Sequence, residues 1–285
     1  MSEAAVAPER CWSAGRGLLV VGHGTTDEVG AAETRRVASL AAGLLPGVAV
    51  ELGFLELVRP TIHEAVAQLA GRGCREVMVA PLLLFTAGHA LRDVPEAVAA
   101  ATAAVGIRAF QSAALGLHPE IVALSRARRA EAVAGIGPED PAATRLLIVG
   151  RGSSDPTAPA QMLEFARATL ADDVSLPATG LSIGFVAAAR PSLTEAVAEL
   201  CGLPDGSVRR IVVQPHLLFR GHVEEQVADA VARGREARPD LDWIRVARLG
   251  GVDPVARAVV GRAGERWREL DAASRQAAGE PATAG

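Results

Sequence analysis

Apolar residues fall along this chain in two alternating rhythms. Leu18–Val21 is a short continuous apolar run closed by a Gly-x-Gly turn, the signature of a strand buried on both faces. From about Glu28 to Leu45 apolar residues recur at helical spacing, and Pro46-Gly47 stops the run. Val48–Leu55 predicts a second strand. A helix follows that reaches about Gly71, with Pro60 in its first turn. Val77–Leu84 and Ile107–Ala113 predict two more strands, and Leu91–Val105 and Pro119–Val133 two more helices. Strand and helix alternate strictly and the strands lack polar alternation. The expected class is therefore α/β, a parallel sheet flanked by helices on both faces. Right-handed crossovers gather all strand C-termini on one edge, where ligands of open α/β sheets bind.

The pattern is then written a second time. Leu18-Leu19-Val20-Val21-Gly22-His23-Gly24-Thr25-Thr26-Asp27 reappears 128 positions later as Leu146-Leu147-Ile148-Val149-Gly150-Arg151-Gly152-Ser153-Ser154-Asp155. Gly53-Phe54 and Arg59-Pro60-Thr61 answer to Gly184-Phe185 and Arg190-Pro191-Ser192. Pro81-Leu82-Leu83-Leu84-Phe85 answers to Pro215-His216-Leu217-Leu218-Phe219. A repeat that holds register this long is a duplicated domain. The expected domains are residues 15–135 and 144–270, joined by the turn-rich Gly135–Pro141. Residues up to about Ala14 read as a loose arm, and Asp271–Gly285 as a disordered tail.

Composition narrows the function. A net charge of −4 and 3% aromatic residues, with no tyrosine, argue against a nucleic-acid partner. All the basic residues are arginine. Cys11, Cys74 and Cys201 are far apart with no Cys-x-x-Cys spacing, so no zinc ribbon or iron–sulfur cluster is expected, only buried thiols in a reducing compartment. No signal peptide and no membrane span are evident, so a cytoplasmic protein is expected.

His23, between two glycines after the first strand, either presents imidazole to a ligand or only hydrogen-bonds its own turn. His89 ends the small-residue loop Phe85-Thr86-Ala87-Gly88 on the same edge. Two imidazoles from neighbouring strand ends suit a late first-row divalent ion, and so few donors leave an open site. Glu56, after the second strand, can accept a proton or steer a cation. Arg59 reads equally as a substrate contact or as part of the helix start. His63 and His118 read as structural, the latter at a helix start. In the second copy Arg151 replaces His23 and Ala187 replaces Glu56, while His222 takes the place of His89 after a shorter loop. Arginine cannot bind a metal ion, so this copy is not expected to hold one. Its Arg151, Arg190 and Arg220 suit carboxylates or plain solvent.

With Gly22-His23-Gly24, Gly53-Phe54-Leu55-Glu56, Pro60-Thr61-Ile62 and Pro81-Leu82-Leu83-Leu84-Phe85-x-x-Gly88-His89 in this order, the chain resembles the class II chelatases. These are the sirohydrochlorin cobalto- and ferrochelatases of the CbiX/SirB type, here in the long two-domain form. The resemblance implies two tandem Rossmann-like domains facing each other across a cleft, and a lyase that inserts a divalent metal into sirohydrochlorin on the way to cobalamin or sirohaem. It implies His23 and His89 as metal ligands, with His23 also the proton acceptor beside Glu56. Arg59 and the loop Leu84, Phe85, Thr86, Ala87, Gly88 and His89 would contact the tetrapyrrole. Relatives often carry glutamate just before Pro60, where this chain has Arg59. The metal, cobalt first and iron second, is then substrate, with no nucleotide cofactor. No membrane partner is expected, and a monomer suffices because the duplication supplies the facing domain. Two other readings stay open: a metal or tetrapyrrole carrier without turnover, and a histidine phosphatase, although such enzymes use Arg-His-Gly and here Gly22 precedes His23.

Overall fold

A computed structural model describes residues 11–85, 90–136, 141–171 and 180–277. The first repeat runs β1 (Arg16–Gly22), α1 (Glu28–Leu44), β2 (Ala49–Phe54), α2 (Ile62–Gly71), β3 (Glu76–Pro81), α3 (Ala90–Val105), β4 (Arg108–Gln111) and α4 (Pro119–Val133). The second runs β5 (Thr144–Gly150), α5 (Ala158–Leu170), β6 (Leu181–Phe185), α6 (Leu193–Cys201), β7 (Arg210–Pro215), α7 (His222–Ala237), β8 (Asp242–Arg245) and α8 (Asp253–Ala277). The strands form two parallel sheets, β2-β1-β3-β4 and β6-β5-β7-β8. The expected α/β class holds. β3 and β4 stop at Pro81 and Gln111, short of the apolar runs that suggested them.

In each sheet the continuous apolar strands split their residues between two faces. On one face of the first sheet, Leu19, Val21, Val77 and Val79 pack against Ile62, Val66 and Leu69 of α2 and Val94 and Val98 of α3. The second sheet repeats this with Leu147, Val149, Ile211 and Val213 against α6 and α7. Pro60 lies outside the helix it was expected to open. Thr61 is the N-cap of α2 and forms a capping box with Glu64, so the proline precedes the cap. Ser192 and Glu195 build the same box at α6.

On the opposite faces, packing groups the helices differently from the sequence repeat. The compact units are residues 1–26, 34–115 and 255–285 on one side, and 27–33 and 116–254 on the other. Helix α4 belongs to the first repeat in sequence but to the second unit in space. Its Ser125 and Arg129 are buried and meet Gln214 of β7. Gln214 donates to Ser125 O at 2.7 Å, and Arg129 donates to Gln214 Oε1 at 3.0 Å and to Thr169 O at 2.8 Å. Conversely, α8 covers the first sheet: Trp267 packs edge-on against Phe110 of β4 at 5.4 Å, and Asp271 pairs with Arg16 of β1. The sequence repeat records what was duplicated, whereas packing records which helix covers which face.

The two ends also differ from expectation. Asp271–Ala277 is not a loose tail but the last turns of α8, held through Arg16. Cys11 is buried and Trp12 lies edge-on to Trp267 at 6.2 Å, so the arm is packed from Cys11 onward. All three cysteines are free thiols, and burial pushes each above the ordinary thiol range. None of the helices among the described residues is long and apolar enough to cross a membrane.

One residue of the second sheet gives this fold a pH dependence. His216 follows β7 where Leu82 follows β3, and each residue's N–H donates across to the neighbouring strand, at 2.7 Å to Val149 O and 2.8 Å to Val21 O. His216 is 4% exposed and stacks on Phe165 at 3.8 Å, and burial pushes its pKa down from 6.5 to about 3. The native chain therefore keeps this ring neutral while the unfolded chain protonates it below its ordinary pKa. Stability from the neutral ring is present above about pH 6.5 and falls with decreasing pH, by about 1.4 kcal/mol per unit, until the native pKa is reached. His216→Leu, copying Leu82, is expected to remove about 2 kcal/mol of the loss between pH 7 and pH 5. Urea midpoints of both proteins at the two pH values check this, and equal losses would refute it.

Candidate functional site

Strand order reverses between β1 and β3, because the chain leaves β1 for β2 on one side and crosses back to β3 on the other. Ligand crevices of open α/β sheets form outside the strand C-termini at such a point. His23 leaves the end of β1 there. Gly22 has no room for a side chain, since a Cβ would lie 2.9 Å from Thr34 and 3.0 Å from the Phe54 ring. Gly24 turns the chain at φ +106°, and a Cβ on it would stand 2.0 Å from Glu56 O. This tight approach lets the β1–β2 pairing continue past both strands. Leu55 N donates to Gly22 O at 3.0 Å and Glu56 N to His23 O at 3.1 Å.

The result is a side-chain pair. His23 Nε2 lies 3.1 Å from Glu56 Oε1, and the two side chains are 51% and 52% exposed. The pair can act in two ways. With the carboxylate accepting from Nε2–H, the lone pair of a neutral ring sits on Nδ1 and the ring orientation is fixed. Alternatively both atoms turn to one cation. Donors bound at about 2.1 Å in cis positions stand about 3.0–3.4 Å apart, which matches the observed separation. Glu56 is thus a candidate ligand as well as a proton acceptor, a role that spacing alone did not show. Among the described residues no group of three or more His, Cys, Asp and Glu side chains could hold a metal ion.

The loop after β3 begins from a fixed base: Leu82 N donates to Val21 O and Leu115 N to Leu83 O, both at 2.8 Å. Leu84 and Phe85 are half-buried at its start. Thr86, Ala87, Gly88 and His89 lie outside the described residues.

Arg59 is exposed, and its guanidinium pairs with the Glu64 carboxylate of the capping box. Glu64 is held below the ordinary carboxylate range, first by the Thr61 backbone N–H and then by Arg59. Of the two roles open to Arg59, the helix start is the one with an observed partner. Arg190 repeats it with Glu195. His63 is exposed on α2, and His118 is the N-cap of α4, its Nδ1 accepting from Glu120 N at 3.3 Å. His222 is exposed at the start of α7, 3.5 Å from Glu225.

The model of the CbiX family matches residues 17–132 and again 145–266. The sirohydrochlorin cobaltochelatase of Priestia megaterium is 24% identical over 256 residues, covering 89% of this chain and 80% of its own. The sirohydrochlorin ferrochelatase of Bacillus subtilis is 28% identical over 232 residues, covering 79% of this chain and 82% of its own. Among solved structures, SirB from Bacillus subtilis with Fe3+ superposes with a TM-score of 0.76 at 25% identity, over 90% of this chain and 97% of SirB. A strand-end histidine backed by a carboxylate, on a twice-written parallel sheet matched by one family model in both halves, makes this chain a member of the CbiX family.

Proposed function

We propose that this chain is a sirohydrochlorin chelatase, a lyase that inserts a divalent metal into the tetrapyrrole in cobalamin or sirohaem synthesis. The observation that carries the reading is the His23–Glu56 pair, half-exposed at the switch point of a CbiX-family sheet. Insertion must remove two pyrrole N–H protons while the ion exchanges weak ligands for four ring nitrogens. An imidazole can hold the ion or take a proton, and a neighbouring carboxylate can stabilise the charge that results. Two or three side-chain donors release an ion more readily than a closed four-ligand site would. In this reading His23 and His89 hold the incoming metal, His23 with Glu56 receives the protons, and Arg59 with the loop Leu84–His89 borders the tetrapyrrole. Imidazole donors accept both candidate metals, cobalt first and iron second. We place the enzyme in the cytoplasm as a monomer.

The test is loss of free sirohydrochlorin absorbance on adding cobalt or iron side by side, against the rate without protein. No acceleration by either metal would remove the enzyme and leave a carrier. Glu56→Gln keeps shape and removes charge, and is expected to lower kcat about ten- to a hundredfold. An unchanged kcat would take Glu56 out of the chemistry.

A further inference from the structure

The turn that carries His23 is built a second time at the end of β5, with its chemistry changed at two positions together. Val186 N donates to Gly150 O at 3.0 Å and Ala187 N to Arg151 O at 2.9 Å, the same two main-chain bonds that join Gly22 and His23 to Leu55 and Glu56. Gly152 turns at φ +89°, and a Cβ on it would stand 1.7 Å from Ala187 O. Arg151 therefore occupies the place of His23, and Ala187 the place of Glu56.

The two replacements act on one quantity, the charge at the strand end. In the first sheet the imidazole has a carboxylate 3.1 Å away. In the second the opposing side chain is a methyl group, and Arg151 is exposed with no ion pair or side-chain hydrogen bond among the described residues. Other arginines near the strand ends of this unit are occupied. Arg190 pairs with Glu195, Arg220 with Asp27 at 3.5 Å, and Arg248 with Glu33 at 2.7 Å and Glu224 at 2.8 Å. The nearest acid in sequence, Asp155, accepts from Thr157 Oγ1 at 2.6 Å and Thr157 N at 2.8 Å, bonds that hold it below its ordinary range. Arg151 is thus an open cation on a turn whose glycine permits little other geometry.

A guanidinium offers a planar fork of N–H donors, is always charged, and cannot ligate a metal. Its matching ligand is a carboxylate, taken two oxygens at a time. We propose that the C-terminal edge of the second sheet is a carboxylate-binding site anchored by Arg151. The carboxylate comes either from the tetrapyrrole, in which case the inference rests on the proposed chelatase function, or from a free organic acid.

Both sources are separable with the full chain and two variants, Arg151→Gln and Arg151→Lys. Arg151 is exposed, so both are expected to melt with the wild type. With the tetrapyrrole as source, R151Q raises the KM for sirohydrochlorin about three- to tenfold with kcat nearly unchanged. R151K falls between, and the rise of KM with salt is shallower in R151Q than in wild type. With a free acid as source, KM does not move, but citrate raises the wild-type Tm and that rise is lost in R151Q. If neither the KM nor the citrate response depends on Arg151, the site does not exist. A wild-type protein without chelatase turnover would instead remove the proposed function, and the citrate measurement would still decide the role of Arg151.

Discussion

His23→Ala is expected to lower metal insertion by cobalt and by iron about a thousandfold or more, with the folded structure kept. The side chain serves twice in the proposed chemistry, as a donor to the incoming ion and as a proton acceptor, and alanine removes both. Glu56 remains but loses the ring it stands 3.1 Å from, so a single carboxylate is left in the open. The fold does not depend on the imidazole, which is half-exposed. The bonds that shape the turn, Leu55 to Gly22 and Glu56 to His23, use main-chain atoms only. Thermal melting should therefore stay within a few degrees of wild type while kcat collapses. His63→Ala is the matched control, since His63 is an exposed histidine of the same unit and should leave the rate unchanged. Near-wild-type insertion by the H23A protein, with cobalt and with iron, would refute the assignment.

Much of the scaffold of this site is legible in the sequence for a simple reason. Strands covered on both faces must be apolar throughout, so Leu18–Val21 and Leu146–Val149 announce themselves, and Gly-x-Gly marks where each ends. His23 is found by that logic. Its contact with Glu56 is not, because it depends on β1–β2 pairing that continues beyond both strands, and pairing register is a property of two distant segments. His216 offered a signal that could have been read: it stands where the other copy has Leu82, directly after a buried strand, and a histidine in an apolar position predicts a suppressed charge. Arg59 kept two readings in the sequence because its capping partner, Glu64, is recognisable only once Thr61 is known to be the cap. The exchange of α4 and α8 left no local trace. An amphipathic helix records that one face must be covered, not which sheet covers it. The polar residues that choose, Ser125 and Arg129 in α4, find Gln214 some ninety positions away.

That exchange makes a second large effect predictable, at a residue remote in sequence from what it stabilises. Trp267→Ala is expected to cost about 3–5 kcal/mol and to loosen the sheet of the first repeat, although Trp267 belongs to the second. The indole is 1% exposed and meets Phe110 of β4 and Trp12 of the N-terminal segment edge-on. The Arg16 guanidinium of β1 sits 4.1 Å over its ring, held there by Asp271 and Glu76. Alanine leaves a cavity among all of these and strips the cation of its aromatic face, so β1, β4 and the start of the chain loosen together. Trp267→Phe keeps the aromatic contacts and removes an indole N–H that has no hydrogen-bond partner among the described residues, so its cost should be far smaller. Because the two units need not unfold as one, a single urea curve is a poor readout, and amide exchange resolved by strand is the better one. Protection should fall in β1, β3 and β4 of the W267A protein and persist in β5 and β7. Loss confined to β5–β8 would mean that packing follows the repeat after all, and that α8 stabilises the half of the chain in which it is encoded.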